Sequence, residues 1–410
     1  MRIVQVGSYP LDITHINGGV EASVYGISME QAKSHRVFVI DVPRCEIKND
    51  YTEEFEGVTI YRFTKNGRNN YYALTRLLSI VNIIRSLKPD ISHIHTTSLF
   101  AFFTFLLVRF HNIPAIVTVH GLAHIEKKNE WNKNRNVRNF IKYIAQSLTE
   151  FLFLSITPKL IVDTPYVTDT IRLYKKQLKI FRMPFCSVIP QGIDQQFFNL
   201  KNTSEKHKLL SVGSINKRKG YLILIESMVK IKKRIPDVSL SIVGALSDPT
   251  YYQLMVNSIK EKGLENTICI YPNASLNEIV NFYTNAEIFV LSTEEESQGI
   301  VFCEAMAAGL PVVTTNVGGV PWIVKDHVNG FLSEFGDRDS FADNVIKLIE
   351  NESLRKKMGE TNLRDSHKYE WKQIAKEILD VYKTVKPPTP EGEEEKRREE
   401  HLTPKGDVWP

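Results

Sequence analysis

Short apolar runs alternate along the chain with longer segments whose apolar residues recur at helical spacing. Most of the short runs are continuously apolar, which is typical of parallel strands buried on both faces. The runs predicted as strands in the first half are Arg2–Val6, Arg36–Asp41, Val58–Arg62, Asp90–His95, Ala115–Val119, Leu160–Asp163 and Ser187–Ile189. Those in the second half are Leu209–Val212, Ser239–Val243, Thr267–Tyr271, Glu287–Leu291, Val312–Thr315 and Gly330–Leu332. Repeated strand–helix units predict an α/β fold with two doubly wound domains.

Two segments illustrate the helical pattern that separates these strands. One face of the helix predicted after Gly220 carries Leu222, Ile225, Met228 and Val229. A further helix is predicted near the end of the chain, with an apolar stripe of Trp371, Ile374, Ile378 and Tyr382.

The pattern becomes polar over residues 190–205, so we place a domain boundary there. The prediction divides the chain into a first domain (1–192), a second domain (193–368) and a C-terminal helix (369–385). Residues 386–410 are charged and poor in apolar side chains, and we expect this tail to be disordered. We assign the tail no function.

Composition narrows the class of protein. The net charge of +5 over 410 residues is only mildly basic, and no nucleic-acid-binding motif is present, so we expect no nucleic-acid partner. The longest apolar run, Leu99–Val108, is too short to span a membrane. The opening residues show no signal-peptide layout. The cysteines are widely scattered, which predicts a reducing, cytoplasmic setting without a disulfide framework or zinc site: Cys45, Cys186, Cys269 and Cys303.

Three common functions of α/β proteins lack their motifs here. Gly7-Ser8-Tyr9-Pro10 follows the first strand where a dinucleotide-binding protein has Gly-x-Gly-x-x-Gly. The chain has no Gly-x-x-x-x-Gly-Lys-Ser/Thr loop and no Gly-x-Ser-x-Gly elbow. These absences weaken the dehydrogenase, NTPase and α/β-hydrolase interpretations.

A loop with three successive glutamates connects the strand Glu287–Leu291 to a helix predicted from about Ile300 to Ala308. A strand, a glycine loop and a helix start form an anion site, because free backbone N–H groups and the helix dipole point at the ligand. Glu296 precedes this helix and Glu304 lies in its second turn, where carboxylates can accept hydrogen bonds from hydroxyls. By spacing alone, an equally good interpretation is that these glutamates only complement the helix or the solvent.

The flanking residues decide between those interpretations. Glu296 and Glu304 match the E-x7-E motif, and Glu304–Val313 and Gly318–Pro321 continue it. In these segments the chain resembles retaining family 4 glycosyltransferases (glycosyl transferases group 1), which adopt the GT-B fold of two Rossmann-like domains facing a central cleft. The resemblance implies that Glu296 approaches the donor sugar and that Glu304 holds the ribose. It also implies that the backbone amides of Gly299, Ile300 and Val301 hold sugar and phosphate oxygens.

The segment Gly213–Gly220 is similar to the phosphate-binding loop of the same family. Lys219 aligns with the lysine that stabilises the departing diphosphate, a role that suits a cation. Ser214 stands where the family usually has arginine, which puts one phosphate contact in doubt, and Arg218 is a candidate replacement. Lys217 is more simply interpreted as a solvated loop residue.

Two further segments resemble family motifs on the first domain. Gly18-Gly19 starts a helix after the first strand, and the resemblance places Gly19 near the donor phosphates and the acceptor, whereas a flexible turn is the alternative. Thr118–Gly121 is similar to the family's Thr-x-His-Gly, which implies that His120 lines the donor-sugar pocket. His95 follows another family pattern, but we interpret it as structural.

Three positions depart from expectation or invite a different interpretation. Gln191 replaces the usual asparagine of the linker motif, and we interpret it as a hinge and a wall of the cleft. Trp322 stands where the family often has glutamate, which bears on contacts near the base or the acceptor. Asp337-Arg338-Asp339 has the form of a metal-binding string, but its place before a helix favours capping. We therefore predict no metal ligand.

A basic and apolar segment, Trp131–Leu154, fits two interpretations. Such an amphipathic helix can lie on an anionic membrane, or it can pack on its own domain, which we favour slightly. The phenylalanines of the run before it are predicted to be core residues: Phe100, Phe102, Phe103 and Phe105.

Taken together, the residues and the resemblance predict a retaining hexosyltransferase with catalytic residues Glu296, His120 and Lys219. The first domain should bind a glycan or lipid-linked acceptor and the second a nucleotide-diphosphate sugar, UDP- or GDP-linked, without another cofactor. The product would belong to cell-surface polysaccharide or glycolipid synthesis, made in the cytoplasm with peripheral contact at the inner membrane surface. A sugar-nucleotide epimerase of the same fold and a non-catalytic nucleotide-sugar-binding scaffold are the alternatives.

Overall fold

Two parallel β-sheets, each covered by helices, make up the computed structural model, which describes residues 1–16, 18–42, 49–64, 76–177, 184–200, 203 and 205–385. The charged tail predicted at 386–410 lies outside the described residues. Among the helices of the described part of the chain, none combines the length and the apolar character that crossing a membrane requires.

The first sheet has eight strands in the order β3-β4-β2-β1-β5-β6-β7-β8. Its strands are β1 (Arg2–Gly7), β2 (Arg36–Asp41), β3 (Tyr51–Phe55), β4 (Val58–Arg62), β5 (Ile91–Ile94), β6 (Ala115–Val119), β7 (Lys159–Val162) and β8 (Phe185–Val188). All pairs are parallel except β3 with β4. The helices of this region are α1 (Gly19–Ala32), α2 (Leu77–Leu87), α3 (Leu99–Phe110), α4 (Ala123–Lys133), α5 (Val137–Ile156) and α6 (Pro165–Gln177).

The second sheet is parallel throughout, with six strands in the order β11-β10-β9-β12-β13-β14. Its strands are β9 (Lys208–Val212), β10 (Ser239–Gly244), β11 (Ile268–Pro272), β12 (Ile288–Leu291), β13 (Val312–Thr315) and β14 (Gly330–Ser333). The helices here are α7 (Tyr221–Arg234), α8 (Pro249–Glu261), α9 (Leu276–Asn285), α10 (Ile300–Ala307), α11 (Val320–Ile323), α12 (Arg338–Glu350) and α13 (Glu352–Ser366). Single 3₁₀ turns occur at Gln195–Asn199, Lys217–Lys219 and His367–Tyr369.

The last described helix, α14 (Trp371–Tyr382), returns to the first sheet. Its buried residues Ile374, Ile378 and Tyr382 join a cluster of isoleucines from β1, α1 and neighbouring strands. A side chain at Gly26 of α1 would overlap Trp371, because a Cβ there would lie 2.1 Å from the indole ring. The glycine therefore lets α14 pack directly on α1.

Every predicted strand is present. The structure differs from the prediction in one additional edge strand and in which helix residues are buried. The structure adds β3, a polar edge strand whose residues are largely exposed, which the search for continuous apolar runs missed. On α7, Val229 is 46% exposed although it shares the predicted apolar face, while Leu224 and Ile231 are buried.

The segment 131–154 is two helices rather than one. Helix α4 ends at Lys133, and α5 begins after Asn136, whose side chain accepts a hydrogen bond from the Asn139 amide. Helix α5 packs on its own domain, as favoured above, but it does so through Glu150, Phe153 and Leu154, while Ile141 and Leu148 of its apolar stripe are exposed. In the preceding helix Phe100 and Phe105 are buried as predicted, but Phe103 is 37% exposed.

Candidate active site

A cavity of about 440 Å³ lies between the two sheets, at the carboxyl ends of their strands. Ligands of open parallel sheets bind at this edge, because the loops that follow the strands gather there. All the residues predicted as site residues line this one cavity: Gly19, His120, Ser214, Arg218, Lys219, Glu296, Gly299, Ile300, Val301 and Glu304.

Lys219 and Glu296 form an ion pair on the second-domain wall of the cavity, between Nζ and Oε1. Both residues are buried, and Arg218 places a guanidinium nitrogen 4.0 Å from the other carboxylate oxygen. Burial alone would raise the pKa of Glu296, but the charges of Lys219 and Arg218 outweigh it and hold that pKa below its ordinary value. The wall thus presents a carboxylate and two cations to the same space.

Local packing fixes the loop that carries Lys219. Gly220 has φ of 66°, a left-handed conformation that favours glycine, and a Cβ there would lie 1.9 Å from the Ser292 carbonyl oxygen. The Ser292 hydroxyl donates to the Gly220 carbonyl over 2.8 Å, and the Glu294 amide donates to the Arg218 carbonyl over 2.8 Å. The loop after β9 is therefore bonded to the loop after β12, which places Lys219 against Glu296.

The Gly318-Gly319 pair has a steric purpose beside the same loop. A Cβ on Gly318 would lie 2.1 Å from the Glu296 carbonyl oxygen, and one on Gly319 would lie 1.8 Å from that of Ser297. The Gly319 amide donates to the Glu296 carbonyl over 2.8 Å. The two glycines hold the backbone of Glu296 in place by close contact.

Glu304 points from the second turn of α10 into the same cavity. Its carboxylate accepts a hydrogen bond from the Tyr283 hydroxyl over 2.8 Å. Burial raises the pKa of this carboxyl to about 7, and the nearby charge of Asp194 acts in the same direction. At the start of this helix, Gly299 has φ of 79° and receives no cap from a described side chain, which leaves the first-turn amides facing the cavity.

Gly19 and His120 belong to the opposite wall. A Cβ on Gly19 would lie 3.0 Å from Gln191 Oε1 and 3.1 Å from Ile300 Cδ1, so a glycine permits the close approach of α1 to the second domain. His120 follows β6, and the plane of its ring lies within 9° of that of His95, with the ring centroids 5.5 Å apart and the facing nitrogens 3.3 Å apart.

Two family models match the chain. The model described as Glycosyltransferase Family 4 matches residues 17–197, and the model described as Glycosyl transferases group 1 matches residues 192–365. The two matches meet at the linker and include both walls of the cavity. The chain belongs to glycosyltransferase family 4.

Individual relatives share this extent to different degrees. An uncharacterized glycosyltransferase of Methanocaldococcus jannaschii is 27% identical over 81% of this chain and 86% of its own length. A capsular polysaccharide biosynthesis glycosyltransferase of Staphylococcus aureus is 34% identical over 51% of this chain and 56% of its own. An Anabaena protein solved in complex with UDP and glucose has a TM-score of 0.71 at 17% identity, over 94% of this chain and 100% of that one. The structural likeness confirms the predicted GT-B fold.

In this glycosyltransferase the two walls contact each other through the linker. The Gln191 amide donates to Gln298 Oε1 over 2.7 Å, and Gln298 Nε2 donates to the Gln191 carbonyl over 3.0 Å. Further contacts between the walls are the bonds from Asn129 to Glu295 (3.0 Å) and from Thr164 to the Ser297 carbonyl (2.8 Å). The cleft is therefore closed by polar contacts on more than one side.

Sequence reasoning missed two residues beneath His120. The structural interpretation of His95 was incomplete: the residue is buried, but its Nδ1 also lies 3.3 Å from His120 Nε2. Asp163 lies 3.3 Å from the other ring nitrogen of His120 and had been assigned only to a strand. The position of Asp163, a carboxylate at the end of an apolar strand, was the sequence feature that could have identified it as a site residue.

Two other predictions of the glycosyltransferase's chemistry can be located. The Asp337 side chain accepts a hydrogen bond from the Ser340 amide over 3.0 Å, so it caps α12 as predicted. Over the described ranges, no group of three or more acidic, histidine or cysteine side chains is placed to hold a metal ion. Trp322 is 46% exposed, with Lys325 Nζ 5.2 Å from its ring centre, and it lies outside the cavity lining.

Proposed function

We propose that this chain transfers a hexosyl unit from a nucleotide-diphosphate sugar to a glycan or lipid-linked acceptor with retention at the anomeric carbon. The observation that carries the proposal is the buried Lys219–Glu296 pair beside the uncapped start of α10. Together they offer a cation, backbone amides and a carboxylate to one ligand, which suits a diphosphate joined to a sugar.

The second domain, residues 193–368, binds the donor in this proposal. Lys219, supported by Arg218 and the helix-start amides, stabilises the negative charge that develops on the leaving diphosphate, and such electrostatic stabilisation is commonly a large catalytic term. Ser214 provides a hydroxyl at the position where the family usually has an arginine. Glu296 orients the sugar, Glu304 accepts hydrogen bonds from the ribose, and the nucleotide is UDP or GDP.

The first domain, residues 1–192, binds the acceptor, and His120 borders the donor sugar. We name no enzymic base, because the leaving phosphate can take the acceptor proton. Helix dipoles and Lys219 offset the phosphate charge, so the proposal includes no metal. The Staphylococcus aureus relative's role in capsular polysaccharide biosynthesis supports a cell-surface polysaccharide or glycolipid as the product.

The proposal extends to peripheral contact with the inner membrane surface. Helices α3 and α5 pack side by side through Phe102 and Phe153. Both expose apolar side chains, which we call the α3/α5 face: Leu99, Phe103, Leu106, Phe110, Val137, Phe140, Ile141, Ile144, Leu148, Leu152 and Ile156. Arg138 and Lys142 are the charged residues of α5 beside this stripe, and its glutamate, Glu150, is buried. An apolar stripe with basic neighbours suits an anionic bilayer.

Vesicle co-sedimentation tests this surface. We expect the protein to sediment with vesicles of phosphatidylcholine and phosphatidylglycerol, and the double variant Ile141→Glu/Leu148→Glu to lose most of this binding. Leu254 is similarly exposed on α8 of the other domain, so Leu254→Glu is a matched control that should bind normally. Equal vesicle binding by all three proteins would exclude the α3/α5 face as the membrane-binding surface. If no protein binds vesicles but the wild type is dimeric and Ile141→Glu/Leu148→Glu is monomeric, the face would instead be a self-association surface.

The reaction is tested by incubating the protein with UDP- and GDP-hexoses and a panel of glycan and lipid-linked acceptors, then determining the anomeric configuration of the product by NMR. A product with the donor's configuration supports the proposal, and an inverted product contradicts it. Turnover of the donor sugar without an acceptor product would instead indicate a sugar-nucleotide epimerase. Donor binding without hydrolysis or transfer across the whole panel would indicate a non-catalytic scaffold.

A further inference from the structure

Asp163 is a buried charged residue that the proposed reaction leaves without a role, and it lies directly under His120 of the cleft. Its side chain is about 1% exposed, at the carboxyl end of β7. One carboxylate oxygen, Oδ2, lies 2.5 Å from Gln191 Nε2 and 3.3 Å from His120 Nδ1. A single buried carboxylate therefore contacts two residues that line the cavity.

The donors and acceptors on the far side of His120 can be assigned from Gln5. Its Nε2 donates to Gln31 Oε1 over 2.8 Å, so its Oε1 faces His95 Nε2, at 2.7 Å. An amide oxygen only accepts, so His95 carries a proton on Nε2. Burial, together with the positive charge that His93 or His120 would carry, lowers the pKa of His95 well below its ordinary value. His95 is therefore neutral, and its Nδ1 presents a lone pair.

That lone pair faces His120 Nε2 at 3.3 Å, and a hydrogen bond at this position requires a proton on His120. The other ring nitrogen of His120 faces the Asp163 carboxylate, which also only accepts. With the side-chain amide of Gln5 in this orientation, a neutral His120 could satisfy one of these two neighbours but not both. Each nitrogen needs its own proton for the arrangement to be bonded throughout.

We propose that Asp163 is a positioning residue of this enzyme, whose carboxylate holds His120 as a doubly protonated imidazolium and turns the side-chain amide oxygen Oε1 of Gln191 toward Gly19. The side-chain amide nitrogen of Gln191 donates to Asp163, so the amide oxygen Oε1 lies on the opposite side. There it is 3.0 Å from the position that a Cβ of Gly19 would occupy. One carboxylate thus sets the orientation of two side chains on the first-domain wall.

A cation at the end of β6 has a defined electrostatic setting. Its titratable neighbours on its own wall are Asp163 and His95, with His93 behind. The other charged residues that line the same cavity are Asp194, Arg218, Lys219, Glu295, Glu296 and Glu304. The charge of His120 has the sign that favours an anionic diphosphate in the cavity between the walls. The inference rests on the proposed function only where activity is measured, because the protonation state of His120 can be observed in the protein alone.

Nitrogen NMR of the protein labelled with ¹⁵N-histidine tests the protonation state directly. The chain has 11 histidines, and loss of signals in His120→Asn assigns the relevant pair. At pH 7 we expect both His120 nitrogens of the wild type to be protonated, and Asp163→Asn to convert the ring to a singly protonated form. A singly protonated His120 in the wild type would overturn the proposal, and this measurement needs no variant at Asp163 to fold.

The pH dependence of kcat provides the second readout. If the imidazolium is the active form, kcat falls as pH rises and His120 loses a proton. In Asp163→Asn the His120 imidazolium has lost its carboxylate partner, so the pH at which kcat falls should be lower by roughly one unit. The exposed Asp169, paired with Arg172 on α6, offers a matched control, and Asp169→Asn should leave the profile unchanged. An unchanged profile and spectrum in Asp163→Asn would overturn the proposal. A wild type without transfer activity would refute the proposed function while leaving the NMR result intact.

Discussion

The two walls of the cleft are built in different ways. The second-domain wall takes its chemistry from two short loops, in which Lys219 and Glu296 meet as charged side chains. The first-domain wall takes its chemistry from single residues after β6 and β7, such as His120 and Asp163, and from the linker residue Gln191. The second wall is therefore specified by local motifs, while the first depends on how the strands are ordered in the sheet.

Removing either charge of the second wall should give the largest effect. We expect Lys219→Ala or Glu296→Ala to reduce transfer by roughly 10²–10³-fold or more, because the leaving diphosphate or the sugar loses its partner. Glu296→Ala leaves Lys219 as an uncompensated buried charge, so this variant should also lose about 3–5 kcal/mol of stability. In Lys219→Ala the guanidinium of Arg218 still faces Glu296, so the loss of stability should be smaller. Transfer rates and urea unfolding measure the two effects.

A double variant separates chemistry from folding. Lys219→Ala/Glu296→Ala should recover stability relative to either single variant and remain inactive. Lys217 is the exposed lysine of the same loop, so Lys217→Ala should keep wild-type activity. Activity retained in Lys219→Ala or Glu296→Ala would remove that residue from the proposed machinery.

A steric change on the same wall should have an intermediate effect. Gly319→Ala would bring a Cβ to 1.8 Å from the Ser297 carbonyl oxygen, so the loop that carries Glu296 must move. Overpacking of this kind costs about 1–3 kcal/mol, and we also expect weaker nucleotide binding in calorimetric titration. Gly263 has φ of 62°, which strains any residue with a Cβ, but no atom of the described residues lies within 4 Å of its Cβ position. Gly263→Ala should therefore lower stability without changing nucleotide affinity. Equal nucleotide affinity in both variants would contradict the packing argument.

The smallest of these effects concerns pH. The pKa of Glu304 in the folded protein is raised to about 7. The neutral carboxyl therefore predominates below this pH, and the carboxylate predominates above it. If the carboxylate binds the ribose, nucleotide affinity should rise roughly tenfold between pH 6 and pH 8. The nucleotide phosphate titrates as well, so Glu304→Gln gives the baseline, and its pH dependence should be shallower. Identical slopes would remove Glu304 from nucleotide binding.

The sequence predicted the strands well because both sheets are parallel and their strands are continuously apolar. Strand β3 (Tyr51–Phe55) lacks a continuous apolar run, because it is an antiparallel edge strand whose side chains are largely exposed. Val229 follows the helical period but lies where α7 turns to solvent, which periodicity over a few residues cannot resolve. The exposed stripe of α5 has the same spacing as a buried one, so spacing alone did not show which apolar residues of this helix pack on the domain.

The candidate site shows the same division. Glu296, Glu304 and Lys219 were predictable because each lies in a motif that is contiguous in sequence. The partners of His120 were not, because Asp163 and His95 are distant in sequence and become neighbours only through the order β5-β6-β7. A buried polar network of this kind is defined by sheet topology, which a single sequence does not state residue by residue.

The most direct test of the account is a thermal-shift measurement of the wild type with UDP, GDP and ADP and with their sugars. A ligand that binds only the folded state raises the unfolding temperature as its concentration exceeds the dissociation constant. We expect a concentration-dependent increase in the unfolding temperature with UDP or GDP and with the corresponding nucleotide sugar. No shift with any of these nucleotides would contradict the claim that the cleft is a nucleotide-sugar site.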